Sequence, residues 1–312
     1  MNTHNFAHEL VAAALHALMT DARAARERVL VVSSSALVDT PGGPTDEEAL
    51  HDFRVALRRM RTILRVAREL WRRKRLARIE GEIRYHAQAT GDLRDEEVLR
   101  ETLAALDLPE EAHDELGGWL VRRDLAVRKE HAEVTRLLRD GPPHRAPTLP
   151  GGKRIRPLER SFQALAARLY GDTPRRMSAV DLGHQVLDHA ARDVVTWAMR
   201  DVGDVEAMHE LRIRYKRLRY TADLFAAPLG AKAMHFAKHA TRMQRHLGEL
   251  HDIDQAILTL SRARGLGATT KDAVLAALRA SRVTRASKVE PHLVEARHLM
   301  DRGPDDEPPT VV

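Results

Sequence analysis

The stretch His51–Arg75, HDFRVALRRMRTILRVARELWRRKR, decides how the chain reads. It holds nine arginines and one lysine against Asp52 and Glu69, a net of +8, whereas all 312 residues together carry +6. Everything outside it therefore sums to −2. Wound as a helix, His51, Arg54, Arg58, Arg61, Arg65, Arg68 and Arg72 follow in steps of three and four residues and share one face. Phe53, Leu57, Met60, Leu64, Ala67 and Trp71 form an apolar stripe about 110° round the same helix. One helix is thus expected to carry both a core seam and a cationic seam.

With 43% apolar residues the chain can bury a sizeable core; only 4% are aromatic, and Ala, Leu, Arg and Glu dominate, so the composition reads as all-α. No stretch approaches the roughly 18 uninterrupted apolar residues of a membrane-spanning helix, and no basic segment followed by an apolar block opens the chain. A cytoplasmic location without membrane contact is the expectation. Cysteine is absent, which excludes disulfides and thiolate chemistry and leaves 17 histidines and the carboxylates as the only metal ligands on offer.

Helical periodicity runs from about Asn5 to Leu37. The turn-rich DTPGGPTDEE follows, where Thr45 and Glu48 have the form of a capping box that would start the basic helix at Asp46 or Glu47. Helix is expected to continue to Gln88, to be punctuated by Gly91–Asp95, and to resume over Glu96–Leu106 and Pro109–Arg139. GPPHRAPTLPGGKRIRP, residues 141–157, reads as a linker, semi-rigid at its prolines and flexible at its glycine pair. Further helices are expected over Leu158–Leu169, Met177–Met199, Val205–Ala226, Ala231–Leu247, Ile253–Arg264 and Thr269–Leu299, and the acidic, proline-rich residues 301–312 read as disordered.

The second half repeats the first. His209-Glu-Leu-Arg-Ile-Arg-Tyr-Lys-Arg-Leu-Arg219 aligns without a gap on His51-Asp-Phe-Arg-Val-Ala-Leu-Arg-Arg-Met-Arg61 at an offset of 158, and Gly248-Glu-Leu-His-Asp252 aligns on Gly91-Asp-Leu-Arg-Asp95 at an offset of 157. The chain therefore divides, on its sequence, into a first helical repeat over 1–140, the linker over 141–157 and a second repeat over 158–300. In the second copy His209, Arg212, Lys216 and Arg219 form the charged face, and Leu211, Tyr215, Leu218, Ala222 and Phe225 the apolar one. The copies are unequal, since Asp223 stands where the first has Arg65.

Two copies of H-x-x-R-x-x-x-[RK]-x-x-R, each followed by G-x-x-[RH]-D, resemble the CHAD family, the conserved histidine α-helical domain. The resemblance implies a tandem of two four-helix bundles with pseudo-two-fold symmetry around a basic central channel, and binding of inorganic polyphosphate there. On the matching positions it implies ligands at His51, Arg54, Arg58, Arg61 and Arg65, and at His209, Arg212, Lys216 and Arg219. Lys238, Arg242 and Arg245, at helical spacing after the second signature, would line the same cavity, although the first copy has Gly81, Tyr85 and Gln88 there. No chain is left for the triphosphate-tunnel domain that some members carry, so the expectation is a stand-alone binding protein. It would use no cofactor, have no specific nucleic-acid partner, and sit at polyphosphate granules or recruit polyphosphate-metabolising enzymes.

Physical chemistry supports that reading independently. A polyphosphate has no bases, so recognition rests on charge, donors and shape, and arginine supplies both charge and a planar donor fork. The rival is a metal phosphohydrolase of the HD type, suggested by His51-Asp52, by His251-Asp252 and by His235 and His239 at i, i+4. It is disfavoured because the second copy has Glu210 where the first has Asp52, and because the dominant feature is cationic. Non-specific nucleic-acid binding rests on charge alone. Asp95 and Asp252 are expected to cap helices, Asp252 with Gln255 as a capping box. Arg59, Arg68, Arg73, Arg75, Arg214 and Arg217 are expected at the surface and not among the ligands.

Overall fold

The structure, a computed structural model, describes residues 6–35 and 47–300. The Thr45–Glu48 capping box and the expected disorder of residues 301–312 fall on residues outside these. Among the described residues the fold is all-α: α1 (Ala7–Ser35), α2 (Glu47–Ala67), α3 (Arg73–Gln88), α4 (Gly91–Ala104), α5 (Glu110–Asp140), α6 (Leu158–Gly171), α7 (Ala179–Ala198), α8 (Val205–Leu224), the single turn α9 (Ala226–Leu229), α10 (Ala231–Ser261) and α11 (Ala268–Arg297). Among the described residues the only β features are two isolated bridges, Phe6 with Ser178 and Leu149 with Lys153.

The basic helix ends one turn sooner than its periodicity suggests. After Ala67 the chain tightens into three-residue turns, with the amides of Arg68, Glu69 and Leu70 donating to the carbonyls of Arg65, Val66 and Ala67. Leu70 and Trp71 stay buried across the break, so the apolar pattern runs through it without a glycine or proline to mark it. Conversely, α10 passes unbroken through Gly248, which costs about 1 kcal/mol relative to alanine, an amount that packing on α8 and α11 overrides. Asp252 is therefore mid-helix and Asp95 lies in the first turns of α4; neither is an N-cap.

The chain packs as two compact units, residues 1–96 with 125–179, and residues 97–124 with 180–312. These packing units have other boundaries than the sequence repeats 1–140 and 158–300. In the first unit α1 packs on α2, α2 on α3 and α3 on α6, with Phe53, Leu57, Met60 and Leu64 of α2 fully buried. Leu158, Phe162, Leu165 and Leu169 of α6 bury their stripe here, which removes α6 from the second half. In the second unit α10 packs on α8 and α11, and Leu211, Tyr215 and Leu218 fill the seam. Leu99, Leu103, Leu116 and Trp119 cluster with Ile253, Leu260, Val274 and Leu278, so the α4–α5 turn region belongs to the second unit although it lies in the first half of the sequence.

Residues 141–157 are strapped to the first unit rather than free. Gly151 and Gly152, both at positive φ, turn the chain so that Leu149 pairs with Lys153. The Arg154 carbonyl accepts from Arg78, the Arg156 carbonyl from the ring of His86, and Arg156 clamps Glu82 of α3. Gly81 is where α3 makes room: a β-carbon there would stand 2.8 Å from a methyl of Leu149.

Candidate functional site

In the first unit α2 faces α3 with its charged seam. Arg61 and Arg65 of α2, Arg68 of the turn just after it and Arg84 of α3 line a cavity of about 190 Å³, whose rim is completed by Leu149 and Pro150 of the strap. Its only lining carboxylate is Glu80, and Arg68 forks onto it. Burial, then the neighbouring charges of Arg65, Arg84 and Arg58, push the Arg61 guanidinium below the usual arginine range. Arginine stays protonated regardless, so the shift means that positive charge is crowded here and an incoming anion would relieve it.

Arg54 does different work from Arg58, Arg61 and Arg65. Its guanidinium is mostly buried, donates to the Gly91 carbonyl at 2.8 Å and lies 3.7 Å from Asp95. An arginine of the first signature thereby grips the glycine and aspartate of the second. His51 lies exposed on α2.

In the second unit the corresponding signatures also meet, through histidines. His209 of α8 and His251 of α10 stand with their Nδ1 atoms 3.2 Å apart and ring centroids 4.7 Å apart. Only one of the two nitrogens carries the proton of that hydrogen bond. Burial, then Arg212, His209 and Lys216, lower His251 to about 3; burial, then Arg212, also lower His209, with Glu210 opposing and Lys216 adding to the effect. Burial first, and the crowding cations after it, favour the neutral form of both rings. Arg219 reaches Gln244 at 3.3 Å and Asp223 at 4.0 Å.

Lys238, Arg242 and Arg245 are not brought to this pair. Counted back from His251 along one continuous helix, they project about 120–180° away from it. Arg242 forms an ion pair with Glu295 of α11, and Lys238 and Arg245 are exposed. Around Arg242 a buried network has formed instead: the Tyr215 hydroxyl lies 2.9 Å from His239 Nε2, and His239 and His292 each lie 3.5 Å from Glu295. Hydrogen bonding to His239, partly opposed by burial, helps bring Glu295 down to about 2. His239 is thus committed to Tyr215 and Glu295. Among the described residues no group of three or more histidines and carboxylates is placed to hold a metal.

Several outward arginines are held by carboxylates: Arg73 by Glu69, Arg75 by Asp172, Arg214 by Glu210 and Arg217 by Asp193. Arg68, expected at the surface, is exposed and also lines the cavity wall. Sequence reasoning missed Arg84, His251 as the partner of His209, and the strap. Arg84 had no repeat signal, since the matching residue in the second copy is Thr241, and His251 matches Arg94.

These two signature contacts lie on helices that known structures share. The CHAD domain from the plant Ricinus communis, a crystal structure, superimposes with a TM-score of 0.68 at 20% identity over 94% of this chain and 93% of that one. PptA from Streptomyces chartreusis does so with a TM-score of 0.61 at 15% identity over 93% and 99%. At such identities the likeness speaks for the fold alone. No curated protein sequence matches. The model of the CHAD domain matches residues 13–261, from within α1 to the last residue of α10, and so takes in both pairs of signature blocks where they touch; the chain belongs to the CHAD domain family.

Proposed function

We propose that the protein binds inorganic polyphosphate without cleaving it, with the arginines of α2 and α3 and the histidine–cation cluster of α8 and α10 as the binding rows. The observation that carries this reading is the convergence of Arg58, Arg61, Arg65 and Arg84 on one another, with the one carboxylate in the cavity wall already taken by Arg68. Such a cluster costs electrostatic energy unless an anion occupies it. Successive rows on α2 rise by about 5 Å, a spacing that a polyphosphate chain can follow. That both rows serve one polymer chain in a central channel is part of the proposal, as are association with polyphosphate granules in the cytoplasm and recruitment of enzymes of polyphosphate metabolism. Among the described residues no helix is long and apolar enough to cross a membrane.

The test is competition at fixed salt between long-chain polyphosphate, single- and double-stranded DNA, and ATP. Labelled polyphosphate is expected to be displaced by unlabelled polyphosphate at far lower concentration than by DNA or ATP; equal displacement by DNA would reduce the site to a general polyanion surface.

Purified protein is expected to release no phosphate from polyphosphate or nucleotides with added Mg²⁺, Mn²⁺ or Zn²⁺. The cations around His251 that depress its protonation also oppose a divalent ion there. Phosphate release abolished by both a chelator and His251→Ala would replace the binding reading with a hydrolytic one.

Binding is further expected to take up protons. A polyanion offsets the repulsion from Arg212 and Lys216, so the bound-state pKa of the His209–His251 pair rises above its lowered free value. Because the bound form then holds more protons, affinity rises as pH falls through the bound-state value toward the lowered free values, a window at and below the ordinary histidine value of about 6.5. The double variant His209→Gln, His251→Gln, compared at constant ionic strength, should show a clearly shallower pH dependence. An unchanged slope would remove the pair from the binding site.

A further inference from the structure

A second cavity, of about 720 Å³, lies in the second unit where α5 meets the end of α10. Its volume falls in the range of small-molecule sites. Four arginines line it, Arg122 and Arg123 from α5 and Arg262 and Arg264 from the loop after α10, and no carboxylate does. The remaining wall is mostly apolar, formed by Trp119, Ala263, Gly265 and Leu258, the last of which is 43% exposed, with Thr259 as its one neutral polar side chain.

The end of α10 would ordinarily repel an anion, because a helix C-terminus presents unsatisfied carbonyls. Here the carbonyls of Thr259 and Leu260 accept from the amides of Arg262 and Ala263, and that of Ser261 from Lys271 at 2.8 Å. The loop carbonyls beyond the helix are held as well: the Trp119 indole donates to Arg264 at 3.2 Å, Arg122 to Gly265 at 2.8 Å and Lys271 to Ala263 at 3.3 Å. Gly265, at a φ of +75°, lets the loop turn so that its carbonyls meet these donors. What remains facing the cavity is cationic and apolar apart from Thr259.

Arg123 lies over the Trp119 ring, 4.7 Å from its centroid, which fixes the guanidinium as a platform. A guanidinium held this way offers its outer face to a planar aromatic ring, as arginines do when they stack on nucleobases. A bare phosphate chain has no use for that platform or for an exposed leucine. The rim residues 262–265 lie beyond the segment that the CHAD domain model covers, whereas Trp119, Arg122, Arg123 and Leu258 lie within it.

We propose that this cavity is a second, separate anion site that takes a nucleotide, its base stacked on Arg123 beside Leu258 and its phosphates on Arg122, Arg262 and Arg264. Trp119 reports on the site directly. Titrating the full-length protein with ATP, without added divalent cation, should change its tryptophan fluorescence, and Trp119→Phe should abolish that change while Trp71 and Trp197 remain. Arg262→Ala with Arg264→Ala removes only exposed side chains and leaves the Arg264 carbonyl in place; it should weaken ATP binding by at least about tenfold, the worth of one charge-assisted hydrogen bond. Polyphosphate affinity in that variant should stay at the wild-type level. Inorganic tripolyphosphate, with the charge but no base, should bind the site markedly more weakly than ATP. An ATP response that is absent, unchanged in the double arginine variant, or matched by tripolyphosphate would overturn the nucleotide site, and none of these results bears on the α2 row.

Discussion

The triple variant Arg58→Ala, Arg61→Ala, Arg65→Ala is expected to lose roughly a thousandfold or more in affinity for long-chain polyphosphate at low salt, since each arginine–phosphate contact contributes about 1.5–3 kcal/mol. The dependence of log affinity on log salt should flatten by about 2, as three fewer phosphates are neutralised. Folding stability should not fall, because Arg61 is already disfavoured by burial and by its arginine neighbours, and removing the cluster relieves that repulsion. Arg73→Ala, Arg75→Ala serves as the comparison. These two are exposed and already held by Glu69 and Asp172, so the pair should cost far less binding. Equal losses in the two variants, measured by titration across several salt concentrations, would show that overall charge and not the α2 row governs affinity.

Glu82→Ala should destabilise the protein by about 1–3 kcal/mol, because it removes a buried acceptor shared by three donors and leaves them without it. The Glu82 carboxylate is fully buried and accepts from Arg78 at 3.0 Å, from Arg156 at 2.7 Å and from the Ser161 hydroxyl at 2.9 Å. One side chain thereby ties α3 to the strap and to α6. Burial would raise its carboxyl, but the hydrogen bonds from Arg156, Ser161 and Arg78 outweigh burial and hold it below the usual carboxylate range. A lowered carboxyl stabilises the fold above its unfolded value and loses that contribution as pH falls through the folded value. Denaturant melts of Glu82→Gln should accordingly show a flatter loss of stability below about pH 4.5 than wild type. Because the strap carries Leu149 and Pro150 to the arginine cavity, Glu82→Ala should also weaken polyphosphate binding at temperatures where it is still folded. Wild-type stability in this variant would mean that the strap is held by other contacts.

Much of this was legible in the sequence, and its limits are physical. The apolar stripe Phe53, Leu57, Met60, Leu64 is buried as its spacing demands, and the second stripe Leu211, Tyr215, Leu218 likewise, because helical periodicity depends only on local geometry. The break after Ala67 was hidden because Leu70 and Trp71 keep the pattern through it. The continuity of α10 was hidden because Gly248 costs too little to break a helix that is packed on both sides. Tyr215 read as core, and it is, yet its hydroxyl anchors a His239–Glu295–Arg242 network that no spacing rule reveals.

By itself the sequence determined the helical class, the two inward faces, the repeated signature blocks and the concentration of arginine on α2, all of which follow from the identity and spacing of neighbours along the chain. Only the tertiary structure decided that α6 packs with the first unit and residues 97–124 with the second, that Arg84 joins Arg61 and Arg65, that His209 pairs with His251, and that Arg242 is spent on Glu295. These depend on which helix faces which. A helix face can be read from its own residues, but its partner is selected by competition among all the apolar stripes of the chain, and the charged side chains then take whichever neighbours that packing brings near.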